Sequence, residues 1–107
     1  ENPADKVVIP KDAEMELAME HVVSYSDVDL LGHANNAMYM HWAMDAVDYE
    51  ITSKMPLKEV TINFNHEARR GDKVRIYRTF VQKDDALYVY IEGKVEEVSS
   101  FCIEMKF

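Results

Sequence analysis

The chain has one cysteine, three glycines and three prolines in 107 residues. With Cys102 alone an internal disulfide is excluded; this suits a reducing compartment, and a cytoplasmic setting is expected. So few glycines leave no Gly-rich loop of the kind that cradles phosphate. Cationic side chains are also scarce, 12 against 20 acidic ones, and a net charge of -8 argues against nucleic acid as a partner. No apolar run approaches the roughly 20 residues of a membrane helix, and no secretory signal is visible, so no membrane partner is expected. His21, His33, His41 and His66, taken with Cys102, lack the spacing of a zinc site, and no serine stands in a nucleophile elbow. Neither a metal nor a cofactor is therefore expected. Repeats and low-complexity segments are absent too.

What remains is a soluble-type composition, 48% hydrophobic and 30% charged, at a length that suits one small core. The stretch YSDVDLLGHANNAMYMHWAMDAV, Tyr25 to Val47, organises it. Ala37, Met40, Met44 and Val47 recur at helical spacing, and Met38, Tyr39, Trp42, Ala43 and Ala46 fill most of the remaining circumference. His41, Asp45 and Asp48 form a narrow polar stripe. A long helix of this kind needs other structure wrapped around it. Asn35 and Asn36 suit its N-cap, and the free N–H groups and positive dipole end beyond them would favour an oxygen carrying developing negative charge.

The rest of the chain reads as strands. Residues 1–18 form an arm or linker, interrupted by Pro3 and Pro10, ahead of a domain over 19–107; since the chain begins at Glu1, the arm is expected to continue something longer. Glu16 to Tyr25 reads as a first strand, with a helical turn over EMELAME as the equal alternative, and a short helix is expected over Tyr49 to Lys54, stopped by Pro56. The pattern then switches to period 2. Val60, Ile62 and Phe64 alternate with Thr61, Asn63 and Asn65; Lys73 to Gln82, Leu87 to Glu92 and Phe101 to Phe107 follow, with turns at Arg70-Gly71-Asp72 and Asp84-Asp85 and a bulge at Gly93. The expected class is α+β, one curved antiparallel sheet wrapped around one long central helix.

That order, together with DVDLLGHANNAMYMHWAMDA, resembles the hotdog fold, and more closely the acyl-ACP thioesterases. The family's aspartate, histidine, asparagine pair, tyrosine and tryptophan fall on Asp29, His33, Asn35 with Asn36, Tyr39 and Trp42. A second signature, an acidic residue at a strand end followed by Gly-Asp, appears as NHEARRGD and places Glu67 at the family's acidic catalytic position. Leu31 stands where the family pattern has asparagine, and Ala68 where plant members carry cysteine, so no thiol nucleophile is expected. Family members join two hotdog halves in one chain, and this sequence resembles the second half. The GHxNN element is shared with single-domain thioesterases of the 4-hydroxybenzoyl-CoA type.

The resemblance implies thioester hydrolysis, which needs an activated water, donors for the oxyanion and a dry slot for the acyl chain. Asp29 would position or activate the water, His33 would polarise water or thioester, and Glu67 would be an alternative general base. Asp27 reads instead as a cap or turn former. Asn35 and Asn36 would lie against substrate, and Arg69 and Arg70 would steer an acidic acyl carrier protein or a CoA phosphate, as part of a basic patch with Lys73, Arg75 and Arg78. Tyr39 and Trp42 read as packing. Seven methionines suit a pliable interior. A homodimer, or pairing with a second hotdog half, is expected because a lone sheet leaves open edges. The rivals are a stand-alone acyl-CoA thioesterase of the same fold and a non-catalytic acyl-binding or dimerisation module.

Overall fold

The computed structural model describes residues 6–24, 27–29, 32 and 36–107, the side chain of Asn36 excepted. The elements run β1 (Glu16–Val22), α1 (Asn36–Asp45), α2 (Tyr49–Lys54), β2 (Glu59–Phe64), β3 (Lys73–Lys83), β4 (Ala86–Val95) and β5 (Val98–Lys106). The strands form one antiparallel sheet in the order β1-β3-β4-β5-β2. This is the expected order of elements, and α2 has the expected bounds.

Period 2 decides which face is apolar. Val74 and Ile76 of β3, Val89 and Ile91 of β4, and Phe101, Ile103 and Met105 of β5 are fully buried on one face. Tyr39, Trp42 and Ala43 of α1, with Ala46 just beyond its end, join them in a single core. Each large side chain buried there contributes roughly 1.5–3 kcal/mol. Phe101 is the meeting point, its ring 5.0 Å from that of Tyr39 and 6.4 Å from that of Trp42. It fits because Gly93 lies opposite it across the β4–β5 ladder, where a Cβ would run into the ring. The expected bulge is there, as a register shift between Gly93 and Lys94. Asp84 and Asp85, both at positive φ, close the β3–β4 hairpin as a two-residue turn.

Three expectations about the helix and its surroundings are corrected. First, α1 is ten residues and not one long helix to Val47. Its last turn tightens, with the Ala46 and Val47 amides donating to the carbonyls of Ala43 and Met44, three residues back. The Arg78 guanidinium reaches over from β3, donating to the Ala46 carbonyl at 2.7 Å and to Asp48 Oδ1 at 2.9 Å. Asp48, extended at φ -58 and ψ 135, then starts α2. Second, the helix is not wrapped all round. The core takes Tyr39, Trp42, Ala43 and Ala46, whereas Ala37, Met40 and Met44 share with His41 and Asp45 an open groove of about 390 Å³. Third, the basic patch divides. Arg78 is an inward-facing arginine that also meets Glu16 at 3.1 Å and lies 5.2 Å from the Phe80 ring, so it is no docking residue.

The two sheet edges differ. β1 is interrupted by a register shift between Leu17 and Met19, and its Glu16 and Glu20 face Arg78 and Arg75. β2 runs unbroken against β5 and exposes Val60 (43%) and Phe64 (52%). α2 has no buried residue, and Tyr49, Met55 and Leu57 are exposed. The arm touches the outer face of β2, the Val7 amide donating to Asn63 Oδ1 at 2.6 Å. Among the described residues no helix is long and apolar enough to cross a membrane.

Candidate active site

Two segments, joined by backbone bonds, carry the candidate residues. The first runs from the end of β2 to the start of β3 and carries Glu67, Arg69 and Arg70. Its backbone is held from three sides. From β5, the Ser100 carbonyl accepts from the amides of Asn65 (2.8 Å) and His66 (3.1 Å), and the buried Ser100 hydroxyl donates to the His66 carbonyl at 2.7 Å. From α1, the Tyr39 hydroxyl accepts from the fully buried Ala68 amide at 3.0 Å. Within the turn, Asp72 Oδ2 accepts from the Arg69 amide at 2.9 Å, and Gly71 takes the left-handed conformation, φ 93, that closes it. The side chains of Glu67, Arg69 and Arg70 are exposed. Beside Glu67 lies a cleft of about 90 Å³ lined by Tyr39, Phe64, Asn65, His66 and Glu67.

The second segment leaves β1 and carries Asp27 and Asp29. Asp27 is 4% exposed. Its Oδ2 accepts from the Ser24 amide at 2.8 Å and bonds His21 Nε2 at 2.8 Å, and its own amide donates to the Ser24 carbonyl at 3.0 Å. Burial by itself would push this carboxyl up; the Ser24 amide and the His21 ring outweigh it and hold the pKa below the ordinary aspartate value. The expectation of a turn former holds for Asp27. Asp29 is exposed, and its carbonyl accepts from the Gly32 amide at 3.1 Å in a turn that Gly32 closes at φ 81.

Backbone bonds join the two segments. The Arg70 amide donates to the Gly32 carbonyl at 3.1 Å, and Val23 exchanges bonds with Gly71 and Asp72, both at 2.9 Å. Asp29 and Glu67, 38 positions apart in the chain, are thereby carried on adjoining turns. His33, Asn35 and the side chain of Asn36 lie outside the described residues. The sequence reading missed three groups: the His21 partner of Asp27, the hydroxyl of Tyr39 as an acceptor, and Ser100. Ser24-x-x-Asp27 is a recognisable turn spacing, and a tyrosine at a core helix position signals a hydroxyl that needs a partner. Ser100 gave no signal.

Cys102 lies on the opposite sheet face from the core, against Asn65, Ser99 and Glu92. Burial, reinforced by Glu92, pushes its thiol pKa up, so it stays protonated at neutral pH and is a poor nucleophile. Among the described residues no three His, Cys, Asp or Glu side chains cluster as a metal site would require.

Solved structures of thioesterases share this fold. A 1,4-dihydroxy-2-naphthoyl-CoA thioesterase from Synechocystis superposes with a TM-score of 0.72 at 17% identity, over 84% of this chain and 78% of that one. A thioesterase from Thermus thermophilus, solved with coenzyme A and zinc, gives 0.73 at 17% identity, over 82% of this chain and 74% of that one. A protein named as an oleoyl thioesterase from Lactobacillus plantarum gives 0.76 at 17% identity, over 94% of this chain but 39% of that one. The architecture is therefore the hotdog fold of thioesterases. No curated protein matches the sequence. The family model for the acyl-ACP thioesterase C-terminal domain matches residues 10–103, and the chain belongs to that family.

Proposed function

We propose that this chain hydrolyses fatty acyl thioesters carried on acyl carrier protein, releasing the free fatty acid. The observation that carries the reading is the Arg70 to Gly32 backbone bond, because it puts the turn bearing Asp29 against the turn bearing Glu67. A thioester carbonyl seated between them would meet a carboxylate able to orient and deprotonate water on either side. Asp29 is the first candidate for that role, with Glu67 as the alternative base and His33 polarising water or thioester. Asn36 opens α1, where free N–H groups favour an oxyanion, and Asn35 precedes it in the chain. Arg69 and Arg70, exposed next to Glu67, suit the approach of an acidic carrier protein. The cleft beside Glu67, at about 90 Å³, is smaller than the roughly 300–1,000 Å³ of ordinary ligand sites. A partner along the open β2 edge, a second copy or an N-terminal hotdog half joined through the arm ahead of β1, would enlarge it. The 39% coverage of the Lactobacillus plantarum protein supports the two-half arrangement. We place the reaction in the cytoplasm, without metal or cofactor.

A second reading is favoured by the Synechocystis and Thermus proteins, which are near this chain in length and whose names or ligands contain coenzyme A. Release of thiol from acyl-ACP and acyl-CoA carrying the same acyl chain separates the two. Turnover of acyl-ACP well above acyl-CoA, abolished by Asp29→Asn, supports the first reading, and the reverse preference supports the second. Binding of both thioesters without turnover, with or without an added N-terminal half, leaves a non-catalytic module.

A further inference from the structure

We propose that His21 and Asp27 form a positioning pair for Asp29, a role that rests on Asp29 being the working carboxylate. Asp29 stands on an exposed turn, and exposed turns are ordinarily the least constrained part of a fold. Two residues before it, however, the chain dives into the core at Asp27, one of two polar or charged side chains buried among the described residues. A buried carboxylate is tolerated only when its oxygens are satisfied. Here the partners come from two places: the Ser24 amide, from the loop itself, and His21 Nε2, from the end of β1. His21 is fixed in its own right. Its backbone pairs with Val74 of β3, and its ring stands 4.8 Å from that of Trp42, tilted by 37°. Trp42 is 2% exposed and packs on Phe101 and Tyr39, so the chain of contacts from the Asp27 carboxylate ends in the centre of the core.

The consequence is geometric. Asp27 fixes the path of the backbone on one side of Asp29, and the Arg70 to Gly32 bond fixes it on the other. The turn between them is clamped at both ends, which is how a side chain on a loop is held in a repeatable position for catalysis. The pair does not reach substrate. It acts through Asp29, and its loss should lower the rate constant of the chemical step while leaving substrate affinity nearly intact.

The test uses three variants. Asp27→Ala removes both bonds; Asp27→Asn keeps, in the place of Oδ2, an amide oxygen that can accept from both the Ser24 amide and an Nε2–H of His21; His21→Phe keeps a ring against Trp42 but loses Nε2. In hydrogen exchange, the Ser24 and Gly32 amides of Asp27→Ala should exchange at least about tenfold faster, with the Ile91 amide in the centre of the sheet unchanged. Asp27→Asn should stay near wild type, and His21→Phe should lie between. In thiol-release kinetics kcat of Asp27→Ala should fall at least about tenfold with KM within about threefold, and Asp27→Asn should recover most of the loss. Unchanged protection at Gly32 in Asp27→Ala and His21→Phe overturns the proposal. So does protection lost equally at Gly32 and Ile91, which would make the pair a general stabiliser. If Asp27→Ala fails to fold, His21→Phe carries the same two readouts. Asp29→Asn is measured alongside. Wild-type turnover in that variant would sink the catalytic reading of Asp29, and exchange at Gly32 would still decide whether the pair orders the turn.

Discussion

The two segments that meet at the site are held in different ways. The Glu67 segment is gripped by neighbours on either side: β5 through Ser100, α1 through the Tyr39 hydroxyl, and its own Asp72. The Asp29 segment is gripped at its two ends, by the buried Asp27 carboxylate and the two backbone bonds of Val23 on one side and by the Arg70 to Gly32 bond on the other. Redundant bracing makes a group's position insensitive to the loss of any one contact, whereas clamping at two points leaves each clamp decisive.

The strongest way to break this comparison is to remove the carboxylates themselves. Asp29→Asn and Glu67→Gln should each leave the fold intact, and at least one should lower kcat by about 10²-fold or more, the range for loss of a positioned base. Thiol release measures it, and near-wild-type rates for both would place the chemistry elsewhere. Tyr39→Phe comes next, since it strips the acceptor from the buried Ala68 amide. An unpartnered buried N–H costs about 1–3 kcal/mol, seen as a fall in Tm of roughly 4 °C or more in a domain this size. Ser100→Ala should cost less, about 0.5–1.5 kcal/mol, because the Ser100 carbonyl still accepts from Asn65 and His66. A loss from Ser100→Ala exceeding that from Tyr39→Phe would contradict the redundancy.

The smallest expected effect is in pH dependence, and it sharpens the other half of the comparison. The folded pKa of Asp27 is depressed, so its contribution is fully present above the unfolded value of about 3.9 and is lost as pH falls through the lower folded value. Thermal melts of wild type and Asp27→Asn should therefore differ at neutral pH and converge in acid below that value. Parallel curves down to acid unfolding would mean that the carboxylate's charge does not stabilise the loop.

Much of the fold was legible because its signals are local. Alternation in VTINF, in LYVYIE and in FCIEMKF announces strands, Asp84-Asp85 announces the hairpin turn, and Pro56 follows the end of α2. The face and length of α1 were not legible, for one reason each. Apolar residues surround the helix, so periodicity alone could not tell the fully buried set around Tyr39, Trp42 and Ala43 from Met40 and Met44, which are half-buried at the rim of the core and line the groove. Its end is fixed by Arg78, 32 residues beyond Ala46 in the chain, and a contact of that span leaves no mark near the helix. The site follows the same division. Asp29 and Glu67 were singled out by motif, while Tyr39 and Ser100 act through backbone groups far away in sequence and His21 through a side chain across the loop from it.

Gly93 has a further effect on how the hairpin of β4 and β5 finds its alignment. A slip of one residue between two strands turns every buried side chain outward, and the loss of core rejects it. A slip of two keeps the faces right, and burial alone does not detect it. Here that error would carry Phe101 from Gly93 to Ile91 or Val95, whose side chains would occupy the space its ring needs. The missing side chain at Gly93 thus works as a keyhole that admits Phe101 in one alignment. Because Ser100 is the next residue along, the same keyhole sets the distance at which the Glu67 turn is held.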